Sequence, residues 1–242
     1  YIYAKQKQAL VDSAIEMITN TAVGNAAAGD ESTAIGKLSG SILMLESLGY
    51  EAEDIVSLNK TKINAVEKLA KADFAKAETY DYYASAAPYA ILALRTSGNK
   101  YDKEISQTVD YLVNTCEGKG TDWGYTWGGT YYADYDTPAM IMHGLAPYYT
   151  QNTSVKEAID NLVEMFSEHQ DESTGGLGNT ATNAVVAIAL SGIGIDLSID
   201  GRFITKSEKS MIDAFSNAYQ QTNYNYNFGD DFSNKQGLLA LV

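Results

Sequence analysis

The chain has 242 residues, enough for one large domain or two small ones, with 45% hydrophobic residues and a formal net charge of −14. This charge argues against partners such as nucleic acid or an anionic membrane, which need basic surfaces, and is typical of a solubility feature. The single cysteine excludes an intrachain disulfide, and no apolar run reaches the roughly 18 residues of a membrane span.

The first half of the chain predicts two kinds of helix. Outer helices have one apolar stripe, and inner helices are apolar on nearly all sides. The predicted outer helices are residues 3–20, 59–76 and 102–117, and the predicted inner helices are residues 36–48 and 84–97. Gly49 and Gly98 follow the two inner patterns and predict their ends.

The stretch Asp136–Tyr149 is apolar on nearly every side and organises the rest of the chain. Thr137 is a good N-cap residue and Pro138 suits the first helical position, so an inner helix is predicted over residues 137–149. Such a helix needs a shell of other helices around it. The preceding segment, Trp123–Tyr135, is the most aromatic of the chain and is predicted as a long loop.

Two capping-box patterns predict the starts of the last outer helices. Ser154–Glu157 opens one of them and Thr205–Glu208 opens the other. Inner helices are predicted over residues 181–191 and 233–242. No segment has a convincing strand pattern, so the sequence predicts an all-α fold.

The inner helices recur at a regular interval. Their last leucines are about 45 to 51 residues apart, which is the range of helix-pair repeats. Inner helices buried on both faces favour a closed ring. We therefore predict a single all-α domain over residues 1–242, an α/α toroid in which five helix pairs of a complete six are visible. Alternating topology places all outer-to-inner loops at one rim, which becomes the predicted binding site.

This rim holds most of the aromatic and acidic residues that the core does not explain. The predicted ligand-binding residues are Trp123, Tyr125, Trp127, Tyr135, Asp136, Thr137, Asn179, Tyr226 and Asp230. The rings of Trp123, Tyr125 and Trp127, with Tyr131 and Tyr132, either stack on a ligand or pack their own loop, and the sequence leaves both open. Acids in Gly/Asn-rich loops are also common turn formers.

No metal site is predicted. Cys116 and His169 lie on outer helices, whereas His143 lies on an inner helix. These three side chains do not converge simply on one position, as a zinc site requires.

A series of motifs follows one another in the second half of the chain. In order, they are Asp136–Met140, Leu145–Tyr149, Val155–Ile159, Gln170 with Gly175–Asn179, Ala189–Leu190 with Gly194–Asp196, and Gln236–Leu241. This order resembles the α/α toroids of the terpenoid cyclase and protein prenyltransferase superfamily. The nearest likeness is to the α-domain of the cobalamin carriers transcobalamin and intrinsic factor, and to bacterial cell-surface proteins with a similar toroid.

The resemblance implies a binding function. Carriers of this kind hold a corrinoid at the toroid mouth, where the matching positions are Asp136, Thr137 and Asn179. The carriers' disulfides and clamping domain are not found in this sequence, so no cofactor is predicted and a corrinoid ligand is kept as an alternative. We expect a non-catalytic binding or interaction module of a secreted or cell-wall-attached bacterial protein. A small molecule or glycan, and other domains of the same surface protein, are the expected partners.

Two enzyme classes remain as further alternatives. A degenerate class II terpene cyclase would use an Asp-x-Asp-Asp-Thr-Ala motif, which residues 134–139 match in part, with Asp136 as the acid and Thr137 in place of an aspartate. A glycosidase on an α/α barrel would need two carboxylates across an aromatic cleft. The candidate carboxylates are Asp134, Asp136, Asp230 and Asp231.

The sequence has neither an initiator methionine nor a signal peptide, and it stops inside the apolar run Gly237–Val242. We therefore expect a segment of a longer precursor that carries further domains.

Overall fold

A computed structural model describes residues 2–24, 28–57, 59–74, 86–222 and 225–227, together with Gly237 and Ala240. Within these residues the protein is mostly helical, as the sequence predicts. The chain divides into two compact units, residues 1–115 and 116–242. The single toroid domain over residues 1–242 stays a prediction, and the two units are described in turn.

In its described residues the first unit contains four helices and the first part of a fifth. They are α1 (Ile2–Asn20), α2 (Ala28–Ser47), α3 (Ala65–Leu69), α4 (Ala86–Arg95) and α5 (Asp102–Lys119), with a short antiparallel pair of strands, β1 (Ile55–Val56) and β2 (Lys62–Ile63). Helix α2 confirms the inner helix predicted over 36–48 but begins at Ala28. Helix α4 lies within the inner helix predicted over 84–97.

The core of the first unit lies between its two inner helices. Helix α2 packs against both α1 and α4. Leu38 and Ile42 of α2 and Ile91 of α4 are fully buried. The helices approach closely, since a Cβ added at Gly36 would lie 3.9 Å from the Cβ of Ala86.

The outer helix predicted over residues 59–76 is wrong. Ile63 has the right spacing for a helix with Val66, but it pairs instead with Ile55 in the β1–β2 ladder. Asn64 then caps α3, because its side chain accepts a hydrogen bond from the Glu67 N–H at 2.8 Å. The helix is therefore only five residues long.

The part of the second unit that the structure describes contains three long helices, one shorter helix and two hairpins. Its elements are β3 (Gly124–Trp127), β4 (Thr130–Ala133), α6 (Asp136–Leu145), α7 (Thr153–Glu168), α8 (Thr180–Gly192), α9 (Met211–Ala218), β5 (Gln220–Thr222) and β6 (Asn225–Asn227). Helix α6, with the 3₁₀ turn Ala146–Tyr148, and helix α8 confirm the inner helices predicted over 137–149 and 181–191. They pack against each other. Most of residues 233–242 lies outside the described residues.

Both predicted capping boxes of this unit are displaced. Helix α7 is capped by Asn152, whose side chain accepts from the Val155 N–H at 3.2 Å, rather than by Ser154. Helix α9 is capped by Ser210 in a capping box with Asp213. The predicted cap Thr205 accepts instead from the Lys209 N–H in a short loop closed by the Ile204–Ser210 bridge. Two polar caps within a few residues compete, and packing selects one of them.

None of the described helices is both long enough and apolar enough to cross a membrane, in agreement with the sequence.

Candidate functional site

The aromatic segment before α6 is a β-hairpin and not the predicted loop. Strands β3 and β4 are antiparallel, with Tyr125 opposite Tyr132 and Trp127 opposite Thr130. Gly128 and Gly129 connect them with φ values of +57° and +84°. Two positive φ values are typical of a type I′ turn, which Gly-Gly adopts without strain.

One face of this hairpin is an exposed aromatic strip. Because side chains alternate along a strand, Tyr125 and Trp127 share a face with Thr130 and Tyr132. The exposed fractions of Tyr125, Trp127 and Tyr132 are 52%, 75% and 45%. The rings of Tyr125 and Tyr132 are stacked, with centroids 5.6 Å apart and planes 21° apart. We call these four residues the hairpin face.

The opposite face of the hairpin braces it. A Cβ added at Gly124 would lie 2.4 Å from Cζ of Tyr131, so the Tyr131 ring occupies the space that the glycine leaves. The Tyr131 hydroxyl donates to Oδ1 of Asp122 at 2.9 Å. Desolvation, followed by the bond to Asp122, raises the pKa of this phenol, which favours the protonated form that donates to Asp122.

Trp123 lies at the base of the hairpin and is only 4% exposed. Its Nε1–H donates to the carbonyl oxygen of Gly120 at 3.0 Å. Its own carbonyl accepts from the Asp134 N–H at 2.9 Å. Trp123 therefore anchors the hairpin in the core and does not present its ring to a ligand from solvent.

Two more of the predicted site residues support the start of α6. The Tyr135 ring contacts Phe166 edge-on, with centroids 6.5 Å apart, and lies 5.9 Å from the His169 ring. Thr137 is buried, and its N–H donates to Oδ1 of Asp134 at 3.0 Å. Thr137 is thus not the N-cap that the sequence predicts, because the helix begins at Asp136 and the capping carboxylate is that of Asp134.

Among the described residues of the predicted site, Asp136 is the carboxyl group, and it is partly buried. Burial raises its pKa, the charge of Asp134 raises it further, and a hydrogen bond with Thr182 opposes these effects. Its Oδ1 is buried without a hydrogen-bond partner. The bond to Thr182 joins the first turn of α6 to the first turn of α8. A carboxyl group in this setting holds its proton more firmly than usual and can act as an acid.

Asn179 is the N-cap of α8, with its side chain accepting from the Thr182 N–H at 3.0 Å. Thr182 thus interacts with both predicted site residues, through its N–H with Asn179 and through its side chain with Asp136. Tyr226 lies in β6 opposite Gln221. Asp230 lies outside the described residues.

Tyr132, like Thr130, belongs to the hairpin face but not to the predicted site. The signal that could have found it is the pair of glycines at 128 and 129 between two aromatic runs. A two-residue turn there fixes the register and places Tyr132 directly opposite Tyr125.

An open groove lies along α7 in the second unit. It is lined by Tyr149, Lys156, Asp160, Arg202 and neighbouring α7 residues. Its charged groups bind each other: Asp160 accepts from Lys156 and from the Tyr149 hydroxyl at 2.8 Å, and Arg202 pairs with Asp200 at 2.7 Å. These pairs commit the groove's cations to acidic partners, and Glu164 and Glu168 add two further carboxylates to its lining.

Two of the three candidate metal ligands have pKa values that burial shifts. Burial lowers the pKa of His143, and burial raises the pKa of the Cys116 thiol to about 12. Across the part of the chain that the structure describes, no three His, Cys, Asp or Glu side chains form a group that could hold a metal ion.

Comparison of the chain with protein-family models, with curated proteins and with solved structures gives no match. The resemblance to the toroid superfamily therefore rests on the sequence motifs alone.

Proposed function

We propose that this protein is a non-catalytic binding module of a secreted or cell-surface bacterial protein, and that the hairpin face is its ligand-contact surface. The observation that carries the proposal is the exposure of three aromatic rings on one side of a two-stranded hairpin. Exposed single apolar residues are ordinary, whereas a contiguous exposed apolar patch marks an interaction surface.

The energetics favour a contact surface. Burying apolar area stabilises a complex by about 25 cal/mol per Å², and each large aromatic side chain offers about 150–250 Å². Trp127 keeps 75% of its surface in water, so most of this gain is unused by the fold. The Gly-Gly turn and the anchored base also hold the hairpin face in one orientation, which reduces the entropy lost on binding.

We also propose that the helix pairs close into an α/α toroid. Support comes from the packing of neighbouring inner helices, α2 on α4 in the first unit and α6 on α8 in the second. Small residues allow this approach, since a Cβ added at Gly192 would lie 3.7 Å from the Cβ of Ala146. The surface location is an inference from the resemblance to bacterial cell-surface toroids.

A second candidate function rests on Asp136. Its raised pKa and its unpartnered buried oxygen suit a general acid, as in a degenerate terpene cyclase or a glycan-active enzyme. We rank it second because the Asp136 position also serves to join α6 to α8 through Thr182. Corrinoid binding remains an alternative that the same titrations test.

The experiment follows the fluorescence of Trp127 alone. In a Trp123→Phe protein, Trp127 is the single indole, and its emission is followed while cobinamide, cobalamin and an oligosaccharide panel are added. We expect at least one ligand to change the Trp127 emission in a saturable way. We also expect chemical analysis after the titration to recover that ligand unchanged. Emission that no ligand changes would contradict the proposal. Turnover that is lost in Asp136→Asn would favour the second candidate.

A further inference from the structure

The chemistry of the hairpin face narrows the class of its ligand. The surface combines three exposed rings with polar groups at their edges, namely the phenol hydroxyls of Tyr125 and Tyr132 and the hydroxyl of Thr130. A sugar ring has the complementary character, with C–H groups on its faces and hydroxyl groups around its rim. Aromatic faces pack on the C–H groups, and both partners keep their hydroxyls in water.

The charge of the surroundings selects a ligand without negative charge. The protein has a net charge of −14. Asp122 and Asp134 flank the hairpin, with Asp122 held near it by the Tyr131 hydroxyl at 2.9 Å. This negative charge repels phosphates, sulfates and uronates.

The shape of the surface separates a sugar chain from a quaternary ammonium ion. Such a cation is bound by rings that face it from several sides. Here the Tyr125 and Tyr132 rings are nearly parallel, with an interplanar angle of 21°. The two rings stack on each other and do not surround a common point, so they form no cage for a compact cation, and the open strip favours an extended ligand.

The strip is also long enough for more than one sugar. Trp127 and Tyr125 are two residues apart on one strand, which corresponds to about 7 Å along the hairpin. The tight Gly128–Gly129 turn ends the strip without an overhanging loop. A chain can therefore extend past the turn end of the strip.

We propose that the hairpin face binds a neutral, extended polysaccharide, with Trp127 and the Tyr125–Tyr132 pair stacking on neighbouring sugar rings of one chain. This inference rests on the proposed function, which it makes specific.

The test is affinity electrophoresis of the whole chain in gels that contain hydroxyethylcellulose, β-glucan, xyloglucan, arabinoxylan or galactomannan, with polygalacturonate as the charged comparison. We expect retardation by at least one neutral polymer and none by polygalacturonate. Trp127→Ala should weaken the retardation at least about tenfold, and Tyr125→Ala several-fold. The matched control is Ile199→Ala, because Ile199 is 76% exposed but lies outside the hairpin, and it should change nothing. Circular dichroism verifies that each variant is folded.

The outcomes separate the inference from the function on which it rests. If no neutral polymer retards the protein, or if only polygalacturonate does, the inference is overturned. If cobinamide or phosphatidylcholine vesicles change the Trp127 emission while no neutral polymer binds, the inference fails but the hairpin face remains a binding surface. Binding of a neutral polymer that Trp127→Ala leaves unchanged overturns both.

Discussion

Trp123 immediately precedes strand β3 and Trp127 ends it, four residues later, yet one ring is buried and the other is exposed. Trp123 is 4% exposed, and its Nε1–H is bonded to a backbone carbonyl, whereas Trp127 is 75% exposed. The hairpin thus has a buried base that belongs to the fold and an exposed face that does not. Aromatic content alone therefore cannot identify a binding site, because the same residue type serves packing at one position and presents a surface at another.

The largest expected effect on stability comes from comparing a substitution at the buried base of the hairpin with one on the hairpin face. Trp123→Ala removes a buried ring and its hydrogen bond, so we expect a loss of about 3–5 kcal/mol in the free energy of unfolding. Trp127→Ala should change it by no more than about 0.5 kcal/mol, since the ring is mostly in water. Urea unfolding followed by circular dichroism measures both. Equal losses in the two variants would remove the distinction.

The brace behind the hairpin face gives the next effect. In Gly124→Ala the new Cβ would lie 2.4 Å from the Tyr131 ring and 2.5 Å from the carbonyl oxygen of Tyr132. We expect a loss of about 2 kcal/mol, because backbone and ring must both move. The control is Gly118→Ala in α5, where nothing lies within 4 Å, and a helical Gly→Ala change should stabilise by about 0.5–1 kcal/mol. A tolerated Gly124→Ala would mean that the hairpin is not braced in this way.

A smaller effect tests the helical framework next to the hairpin. Asn152→Ala removes the side chain that accepts from the Val155 N–H, and should cost about 1 kcal/mol. Ser154→Ala, which removes the cap that the sequence predicts, should be nearly neutral. Thermal unfolding of the two variants decides between these positions. The reverse order of stability would restore Ser154 as the cap.

The smallest expected effect is the contribution of Asp136 to the pH dependence of stability. Its pKa in the folded protein is raised, so its contribution to stability is fully present below the unfolded value near 3.9 and is lost as pH rises through the folded pKa. Asp136→Asn removes this loss, and the variant should therefore gain stability relative to wild type as pH rises across that window. Urea titrations at a series of pH values measure the difference. A difference that is constant or falls with pH would contradict the role of burial.

The inner helices could be predicted because a fully apolar circumference has few structural outcomes. Residues 137–149 and 181–191 became α6 with its 3₁₀ turn and α8, and the apolar stretch 84–97 contains α4. The helix predicted over residues 59–76 is wrong because strand pairing competes with its helical spacing. The strand partner of Ile63 is Ile55, and no local pattern reveals this pairing. Tertiary pairing decides such cases, not propensity.

The site could be predicted only in outline. The sequence places Tyr125 and Trp127 in the candidate site, and both are exposed. It also includes Trp123, Thr137 and Asn179, which the structure places in packing and capping roles. Burial cannot be read from residue type. The alternation about the two glycines, by contrast, was readable and would have added Tyr132.

The single cysteine gives the protein a built-in reporter of its own motions. Cys116 is 5% exposed in α5, and burial raises the pKa of its thiol to about 12. Disulfide reagents react with the thiolate, which is scarce at neutral pH in this setting. Labelling must therefore wait until the helix opens locally, and the labelling rate reports how often it does so. Mass spectrometry of the native chain can thus time the opening of α5 without an introduced probe.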